Sequence, residues 1–484
     1  MILKNLLGGM NIDLTGDIAG IDIDLVTCDS RKCRPGSVFT AVKGYKTDGH
    51  QYIDQAIGQG ASFVICENPE MLPDGAAGIA VKDSRMVYTE LNRSLWLGDE
   101  TKIKLIGITG TNGKTSTSFL IQHLLGGRNQ CGLVGTIRCE GGSLSMESTH
   151  TTPDPEFLFP VLRRMQDDGC RYAVLEVSSH ALDQGRLEGL SFDVALITNV
   201  TQDHLDYHGS MEAYLKAKMK ICRMVGPEGY LIYNNDNKLI RSAIHSRKNK
   251  NDIAIGLQNK SQINITVQKT DLNGSVFLLK ENNLESSWKV NMIGEHNVMN
   301  AAMAVTAASL AGVGGPVLSD RLSQFQGVDG RVEKVETGRD FNLYIDYAHT
   351  DDGLKNVLSA IKPLVKSRLL LLFGCGGDRD KGKRPLMAKV AQMYADYIVI
   401  TSDNPRSESP TQIIRDIEAG FTPDFKNYTT QKDRRKAIRT ALLQARSGDV
   451  VVIAGKGHES YQVTQGQKEH FSDKEECLKI LQGQ

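Results

Sequence analysis

Two features are absent from this sequence: long apolar runs and closely spaced cysteine pairs. A transmembrane helix needs about 18 or more consecutive apolar residues, and no such run occurs. The N-terminus, MILKNLLGGMNIDLTGD, reaches polar residues too early for the apolar core of a signal peptide. The nine cysteines are scattered without a CxxC pair, which predicts reduced, mostly buried thiols rather than a disulfide frame or a zinc site. We therefore expect a cytoplasmic protein with no membrane partner.

An excess of charge of either sign is absent as well. Lys and Arg together number 57, as do Asp and Glu, so the formal net charge is zero. This balance argues against a nucleic-acid partner and against a polybasic membrane anchor. It still allows the local basic pockets that a phosphate-binding enzyme needs.

With 484 residues the chain is too long for one hydrophobic core, so we expect several domains. Its texture changes near residues 100 and 330. Beyond residue 100, short runs rich in Val, Ile and Leu alternate with helix-length segments, which predicts an α/β fold with parallel strands and crossover helices. The predicted strands are Ser37–Val42, Ala61–Cys66, Gly78–Val81, Ile103–Thr109, Tyr172–Val177, Val194–Val200, Leu343–Asp346, Leu369–Phe373, Tyr397–Thr401 and Val450–Ala454.

Polar residues follow nearly every predicted strand. Open α/β sheets bind ligands at the carboxyl ends of their strands. Two such domains therefore suggest a cleft in which several substrates meet.

A glycine-rich segment follows the strand that ends at Thr109 and opens a predicted helix, Ser116–Leu125. Glycines let backbone N–H groups close around phosphate oxygens, and the helix N-terminus adds a favourable dipole. Lys114 would neutralise the β- and γ-phosphates, and Thr115 would bind Mg²⁺. The spacing is a shorter variant of the usual phosphate loop, so a simple glycine turn is the alternative. The segment is Gly110, Thr111, Asn112, Gly113, Lys114, Thr115 and Ser116.

An amphipathic helix is predicted for Met211–Cys222, and Lys218 lies on its apolar face, whereas Lys216 and Lys220 lie on the solvated face. An unpaired buried ammonium is costly, so Lys218 would reach solvent, pair with a carboxylate or lose its charge. A neutral lysine can also react with CO₂ to give a carbamate that ligates Mg²⁺ as a carboxylate does. His204, just beyond a strand end, is then a candidate second metal contact.

Together these segments resemble the Mur ligase family. The resemblance extends over the whole chain and is strongest to members that add the third residue of the peptide stem to UDP-N-acetylmuramoyl-L-alanyl-D-glutamate. The matching segments are DSR, GTNGKTS, LEVSSHALDQGR, TNVTQDHLDYHGSMEAYLKAK, GEHNVMNAAMA, DYAHT, FGCGGDRDKGKRP, SDNPR and AGKGHE.

The resemblance implies three domains: a small α/β UDP-sugar-binding domain (1–100), a central P-loop parallel-sheet ATPase domain (101–330) and a Rossmann-like amino-acid-binding domain (331–484). It implies a monomeric ligase of peptidoglycan precursor synthesis that uses ATP and Mg²⁺. ATP would phosphorylate the D-glutamate γ-carboxylate. An amine would then attack the acyl phosphate, and the tetrahedral intermediate would lose phosphate.

The same resemblance implies roles for residues at the nucleotide. Thr115 and Glu176 would hold one Mg²⁺, and His204 with carbamylated Lys218 would hold a second. The catalytic set would be Lys114, Glu176, His204 and Lys218. The remaining nucleotide contacts would be Asn297, Arg331 and Asp346.

For the UDP-sugar peptide, the resemblance points to two groups of residues. One lies near the DSR turn, and the other follows the first strands of the central region. His150, in the second group, replaces an Asn found in some family members. The predicted contacts are Cys28, Ser30, Tyr45, Lys46, Thr47, His150, Thr151, Thr152, Ser178, Gln184 and Arg186.

The segment Asp403-Asn404-Pro405-Arg406 matches the recognition motif of members that use meso-diaminopimelate. The distal head of that substrate carries a carboxylate, which arginine binds bidentately. Lysine-adding members face a bare ammonium, which a buried arginine would repel. The resemblance also places Arg379, Gly455 and Glu459 around the distal head. The alternative is that Arg406 merely caps an exposed loop.

Other functions compete with this interpretation. A lysine-adding ligase would share the fold but lack Arg406. A folylpolyglutamate synthase would share the phosphate loop and the modified lysine, but would lack the DSR domain and the DNPR loop. A P-loop motor or switch would hydrolyse ATP without an acceptor, and a purely structural protein would leave the polar strand ends without a role.

Overall fold

The computed structural model describes residues 1–8, 20–44, 47–98, 101–148, 150–245, 247 and 249–483. The chain divides into two compact units: Met1–Ala254 with Met303–Val313, and Ile255–Ala302 with Gly314–Gln484. The domain boundaries expected near residues 100 and 330 stay predictions. No helix in the described ranges combines the length and apolar character needed to cross a membrane.

The first unit begins with a four-stranded parallel sheet in the order β1-β2-β3-β4. One apolar face packs against residues of the first and third helices, and the other packs against the second helix. The elements are α1 (Leu3–Gly8), β1 (Leu25–Thr27), β2 (Ser37–Thr40), α2 (Ile53–Gly58), β3 (Phe63–Cys66), β4 (Gly78–Ala80) and α3 (Ser84–Leu97).

The rest of the first unit is an α/β sheet. Its elements are β5 (Lys104–Thr109), α4 (Lys114–Leu124), β6 (Cys131–Val134), β7 (Arg138–Gly141), β8 (Leu144–Glu147), α5 (Pro155–Asp167), β9 (Tyr172–Glu176), α6 (Ser179–Asp183), β10 (Phe192–Ile197), α7 (Leu205–His208), α8 (Met211–Met219), β11 (Val225–Asn234), α9 (Lys238–His245) and β12 (Asp252–Gly256).

In this sheet the neighbouring strands are β11-β10-β5-β9-β6-β7-β8. The first five are parallel, and the last two form antiparallel pairs at the edge. The central parallel strands β5, β9 and β10 are almost fully buried, as their continuous apolar runs predict. Because β9 and β10 flank β5, their carboxyl ends lie beside the start of the glycine-rich loop. The order of the strands therefore brings the polar strand ends together.

The second unit opens with an antiparallel meander and two helices: β13 (Ile263–Asp271), β14 (Gly274–Glu281), β15 (Leu284–Val290), α10 (Glu295–Leu310, which continues into the first unit) and α11 (Gly315–Gln324). The α/β region follows with β16 (Glu333–Val335), β17 (Asn342–Asp346), α12 (Asp351–Ile361), β18 (Leu369–Phe373), α13 (Lys383–Tyr394), β19 (Tyr397–Thr401), α14 (Pro410–Glu418), β20 (Tyr428–Gln431), α15 (Arg434–Gln444), β21 (Val450–Ala454), β22 (Tyr461–Thr464), β23 (Gln467–His470) and α16 (Asp473–Leu481).

This last region is a three-layer sandwich. Its sheet has the order β16-β17-β21-β18-β19-β20, in which only β16 is antiparallel. Helices α12, α13 and α14 bury one face, and α15 and α16 bury the other. The doubly wound arrangement confirms the expected Rossmann-like fold class. A separate hairpin, β22–β23, lies outside this sheet.

One detail of the predicted amphipathic helix is wrong. Helix α8 ends at Met219, and Lys220–Arg223 forms a 3₁₀ turn. Tyr214 and Lys218 are buried as expected, but Lys220 is only half-exposed because its ammonium contacts the Asp183 carboxylate at 3.1 Å.

Candidate active site

The glycine-rich loop between β5 and α4 is fixed by the end of β10. Thr111 N donates to Asn199 O at 2.8 Å, and Asn112 N donates to Asn199 Oδ1 at 2.8 Å. Thr198 Oγ1 lies so close to Gly110 that a Cβ there would collide with it. Gly113 has φ +86°, a conformation that glycine adopts without strain. The loop is therefore held open by its neighbours at the N-terminus of an 11-residue helix.

The cation of the loop lies over its own backbone. Lys114 Nζ donates to Gly110 O at 2.9 Å and to Thr111 O at 3.0 Å. This flexible ammonium can turn towards a bound phosphate. The N-terminus of α4 attracts the same anion. Thr111 Oγ1 contacts the Tyr214 hydroxyl at 3.1 Å, which connects the loop to α8.

Thr115 and Glu176, the predicted ligands of one Mg²⁺, are hydrogen-bonded at 3.0 Å. Glu176 is fully buried at the end of β9 and also accepts from the backbone N–H of Thr136 (3.1 Å) and from its hydroxyl (2.9 Å). Gly135 leaves the space, because a Cβ there would collide with the Glu176 carboxylate. A carboxylate and a hydroxyl pointing at each other below a phosphate loop are oxygen ligands of the type that Mg²⁺ prefers.

Lys218 lies on the other side of the loop. Its side chain is 1% exposed, and its Nζ donates to Gly110 O at 2.8 Å and stands 4.6 Å from the centre of the Tyr214 ring. Burial lowers the pKa of Lys218 well below its ordinary value, and the nearby Lys114 lowers it further. Over the described part of the chain, no carboxylate lies within ion-pair distance of Lys218. The expected alternatives of a solvent-exposed head or an ion pair are therefore wrong.

His204 belongs to an aromatic cluster at the start of α7. Its backbone is left-handed (φ +52°), and its ring centre is 4.9 Å from that of His180 and 6.1 Å from that of Tyr214. Burial lowers the pKa of His204, and it lowers the pKa of His180 to about 4. These lowered pKa values favour the neutral rings, the form in which imidazole binds a metal. The described residues contain no group of three or more His, Cys, Asp or Glu side chains arranged for a metal.

The residues expected at the UDP-substrate form a connected network at the end of β9. Thr152 Oγ1 donates to Glu176 O at 2.7 Å and accepts from Ser178 N at 2.9 Å. Arg186 donates to Thr152 O and to Gln184 Oε1, each at 2.9 Å. Thr151 Oγ1 contacts Thr136 Oγ1 at 3.0 Å, which connects this network to Glu176. The substrate and magnesium residues of the first unit thus share one hydrogen-bond network.

Two neighbours of the DSR turn, which were not among the expected contacts, meet the start of α5. Thr27 Oγ1 donates to Glu156 Oε2 at 2.8 Å, and Lys32 Nζ contacts Glu156 Oε1 at 2.8 Å. Asp154, two residues before Glu156, pairs with the expected contact Arg186 at 3.2 Å, so the start of this helix adjoins both Arg186 and the segment around the DSR turn.

Six of the expected substrate contacts lie outside that network or cannot be placed. Cys28 and Thr47 are exposed, and Ser30 is buried and donates to Gln55 Oε1 at 2.8 Å. His150 is exposed. Tyr45 and Lys46 lie outside the described residues.

Asn297, Arg331 and Asp346 belong to the second unit. Asn297 is buried in α10, where its amide donates to Ile293 O at 2.9 Å. Asp346 accepts from Val332 N at 2.7 Å, and burial raises the pKa of its carboxyl group. The Arg331 guanidinium lies 4.6 Å from the centre of the Tyr347 ring, and its buried Nε has no hydrogen-bond partner among the described residues.

The Asp403–Arg406 turn follows β19. Asp403 and Asn404 are 6% and 3% exposed, and Arg406 adopts φ +51°. Asn404 Nδ2 donates to Glu459 Oε2 at 2.8 Å, and the buried Lys456 donates to Asn404 Oδ1 and to Glu459 Oε2. A Cβ at Gly455 would lie 2.7 Å from Asp403 Oδ2, so the turn and the GKGHE segment touch.

Arg406 does not cap an exposed loop. Its Nη1 donates to Gly377 O at 2.7 Å, and a Cβ at Gly376 would lie 2.9 Å from this nitrogen. Arg379 is exposed nearby, and its Nη1 reaches Asp378 O at 3.4 Å. The guanidinium of Arg406 is therefore held inward against the loop that follows β18.

Comparison with known proteins identifies the family. Residues 22–97 match "Mur ligase family, catalytic domain", residues 108–308 match "Mur ligase middle domain", and residues 330–457 match "Mur ligase, glutamate ligase domain". A UDP-N-acetylmuramoyl-L-alanyl-D-glutamate–2,6-diaminopimelate ligase from Caldanaerobacter subterraneus subsp. tengcongensis is 40% identical over 482 residues, which is 99% of each chain.

This chain belongs to the Mur ligase family. A solved structure of a UDP-N-acetylmuramoyl-L-alanyl-D-glutamate–2,6-diaminopimelate ligase is 33% identical, with a TM-score of 0.72 over 99% of this chain and 98% of that one. The MurF ligase of Thermotoga maritima in complex with ADP shares the fold at 17% identity and a TM-score of 0.63, over 90% of this chain and 94% of that one.

Several residues that contact the predicted site residues within each unit were not singled out from the sequence. Thr136 follows β6 in a segment without a motif, so nothing local indicates its bond to Glu176. Lys456 stands inside the GKGHE segment, but its burial beneath Glu459 depends on the packing of β21. Gln462 and Val463 lie in an unremarkable hairpin, and only the folded chain shows that they contact the Asp403–Arg406 turn.

Proposed function

We propose that this chain is an ATP-dependent ligase that adds meso-diaminopimelate to the D-glutamate γ-carboxylate of UDP-N-acetylmuramoyl-L-alanyl-D-glutamate. Full-length relatives that are 36–40% identical to this chain are named for this activity. The observation on this chain that carries the proposal is the buried Lys218, which donates to the carbonyl of Gly110 in the phosphate loop. A motor or switch ATPase leaves this lysine unexplained.

The first step transfers the γ-phosphoryl group of ATP to the substrate carboxylate, giving an acyl phosphate and ADP. This chemistry depends on positioning and on neutralising charge. The loop N–H groups and Lys114 would hold the phosphates, with Ser116 at the first turn of α4. The complex of a structural relative with ADP supports a nucleotide at this fold.

Thr115 and Glu176 would hold one Mg²⁺, and His204 and Lys218 a second. The fit is chemical: a hydroxyl and a carboxylate 3.0 Å apart on one side, and a neutral imidazole with a buried amine on the other. When bound, Mg²⁺ supplies charge neutralisation of the phosphoryl oxygens.

Lys218 would act as a carbamate. The neutral Nζ attacks the carbon of CO₂, a C–N bond forms, and one proton leaves to solvent. The lowered pKa of Lys218 favours the neutral amine that this step requires. The product would replace the buried amine by an anion that can bind cations, so no unpaired ammonium would remain.

In the second step the amine of the acceptor attacks the acyl phosphate, and the tetrahedral intermediate expels inorganic phosphate. Arg406, with Arg379 nearby, would bind the distal carboxylate of diaminopimelate. Glu459 would bind the distal ammonium, and its Oε2 is already fixed by Asn404 and Lys456. We further propose that the enzyme works as a cytoplasmic monomer.

The test is phosphate release from ATP with UDP-N-acetylmuramoyl-L-alanyl-D-glutamate, comparing meso-diaminopimelate with L-lysine. We expect release to require both the UDP-substrate and an amine, and kcat/KM to be at least roughly 100-fold higher for diaminopimelate, because lysine lacks the carboxylate that Arg406 would bind. Equal or better turnover with lysine contradicts the acceptor assignment. Phosphate release that is independent of any amine contradicts the ligase assignment.

A further inference from the structure

The β22–β23 hairpin contacts the Asp403–Arg406 turn, although no sequence motif of the acceptor site extends into it. The hairpin is a two-stranded sheet of its own, closed by Gln465 and Gly466, both at positive φ. An isolated two-stranded hairpin is only marginally stable in water. Its contacts with the turn therefore stabilise both segments.

The contacts involve the backbone of the turn. Arg406 N donates to Val463 O at 3.0 Å, and Gln465 N donates to Arg406 O at 2.7 Å. Arg406 thus pairs with β22 as a one-residue parallel bridge. Its φ of +51° lies in the left-handed region that residues with a Cβ rarely adopt. A strained backbone persists where the surroundings hold it, and here Val463 of β22 and Gln465 just after it bond both polar groups of the strained residue.

Two further bonds involve the residues before Arg406. Val463 N donates to Asn404 Oδ1 at 3.0 Å, and Gln462 Nε2 donates to Asp403 O at 2.6 Å. Tyr461 lies beneath the buried Lys456, whose Nζ is 5.5 Å from the ring centre. Lys456 in turn bonds Asn404 and Glu459. One strand therefore contacts Asp403, Asn404 and Arg406.

We propose that the β22–β23 hairpin is a positioning element of the acceptor site and that Gln462 is a positioning residue for Arg406. Gln462 is half-buried, and its amide holds the carbonyl at the start of the turn. The backbone bonds of β22 then fix the end of the turn. The guanidinium of Arg406, at the end of this held turn, donates to Gly377 O. The inference rests on the proposed function, because it assigns the turn to the amino-acid acceptor.

The experiment compares Gln462→Ala with Gln467→Ala, an exposed glutamine of the same hairpin. We expect Gln462→Ala to raise KM for meso-diaminopimelate about tenfold, since one buried hydrogen bond that holds a binding group is lost. Its kcat, KM for ATP and KM for the UDP-substrate should change less than about twofold, as for a lost contact to one substrate. Gln467→Ala should match the wild type in all four quantities.

A second variant separates the hydrogen bond from side-chain volume. Gln462→Glu keeps the shape but replaces the donor with an acceptor, so it should raise KM for diaminopimelate at least as much as Gln462→Ala. A structural role alone predicts instead that thermal stability falls and all three KM values rise together.

The outcomes separate this inference from the proposed function. If the wild type uses diaminopimelate and Gln462→Ala behaves like Gln467→Ala, the positioning role is wrong and the ligase assignment stands. If lysine supports turnover instead, the acceptor assignment fails. The effect of Gln462→Ala on KM for lysine then decides the positioning role. A wild type without amine-dependent turnover overturns both.

Discussion

Lys218 shows how one side chain can be unfavourable for the fold and useful for chemistry. It is among the largest fully buried side chains of the chain, yet its hydrogen bond goes to a backbone carbonyl of the phosphate loop. Burial of an ammonium in this way shifts its equilibrium towards the neutral amine. The nearby Lys114 strengthens this shift. An anion formed at Lys218 would lie close to the Lys114 ammonium.

We expect Lys218→Ala to lower kcat by roughly 1,000-fold or more, because it removes a group that would stabilise the transferring phosphoryl. A short-chain carboxylate such as acetate should restore part of the activity by occupying the space of the carbamate. Steady-state phosphate release measures both effects. The control is Lys216→Ala on the exposed side of the same helix, which should keep full activity. Full activity of Lys218→Ala would refute the role.

The second prediction at this scale concerns Arg406. Removal of a charged hydrogen-bond donor costs about 1.5–3 kcal/mol. Arg406→Ala should therefore raise KM for diaminopimelate by roughly 10- to 100-fold with little change in kcat, as measured by initial rates at saturating ATP. Arg415→Ala, on helix α14, is the control and should have no effect. An unchanged KM in Arg406→Ala would remove this arginine from the acceptor site.

At the scale of elements, a buried ion pair joins the strands that carry the acceptor loops. Arg434 and Asp473 are both fully buried and form two hydrogen bonds of 2.7 Å. The guanidinium also donates to Ser402 O, directly after β19, and to Ala454 O at the end of β21. One side chain from α15 therefore connects two strand ends and α16.

We expect Arg434→Met to destabilise the protein by about 3–5 kcal/mol, because Asp473 would be left as an uncompensated buried charge. Arg435→Met is the matched control: it contacts Glu476, but 62% of its side chain is exposed, so its loss should cost no more than about 1 kcal/mol. Denaturant unfolding followed by circular dichroism measures the difference. Equal effects of the two substitutions would show that the buried pair contributes no more than the exposed one.

Strands whose residues form one continuous apolar run were predictable from the sequence. The runs Leu369–Phe373 and Val450–Ala454 form strands with those bounds, because parallel strands buried on both faces need continuous apolar sequence. The end of α8 was not, since the apolar pattern continues to Cys222 although the chain changes to a 3₁₀ turn at Lys220. The residues that contact Glu176, Arg406 and Lys456 in the folded chain could not be predicted from the sequence either.

At the scale of the whole molecule, the sequence determined the family and the α/β fold class, because both depend on ordered motifs and on local periodicity. It also indicated the phosphate loop and the anomalous position of Lys218. Only the tertiary structure decided that Lys218 bonds Gly110 and that β22 holds the backbone of Arg406. Those contacts join residues far apart in the chain, so they depend on how strands and helices pack and not on any pattern of neighbouring residues.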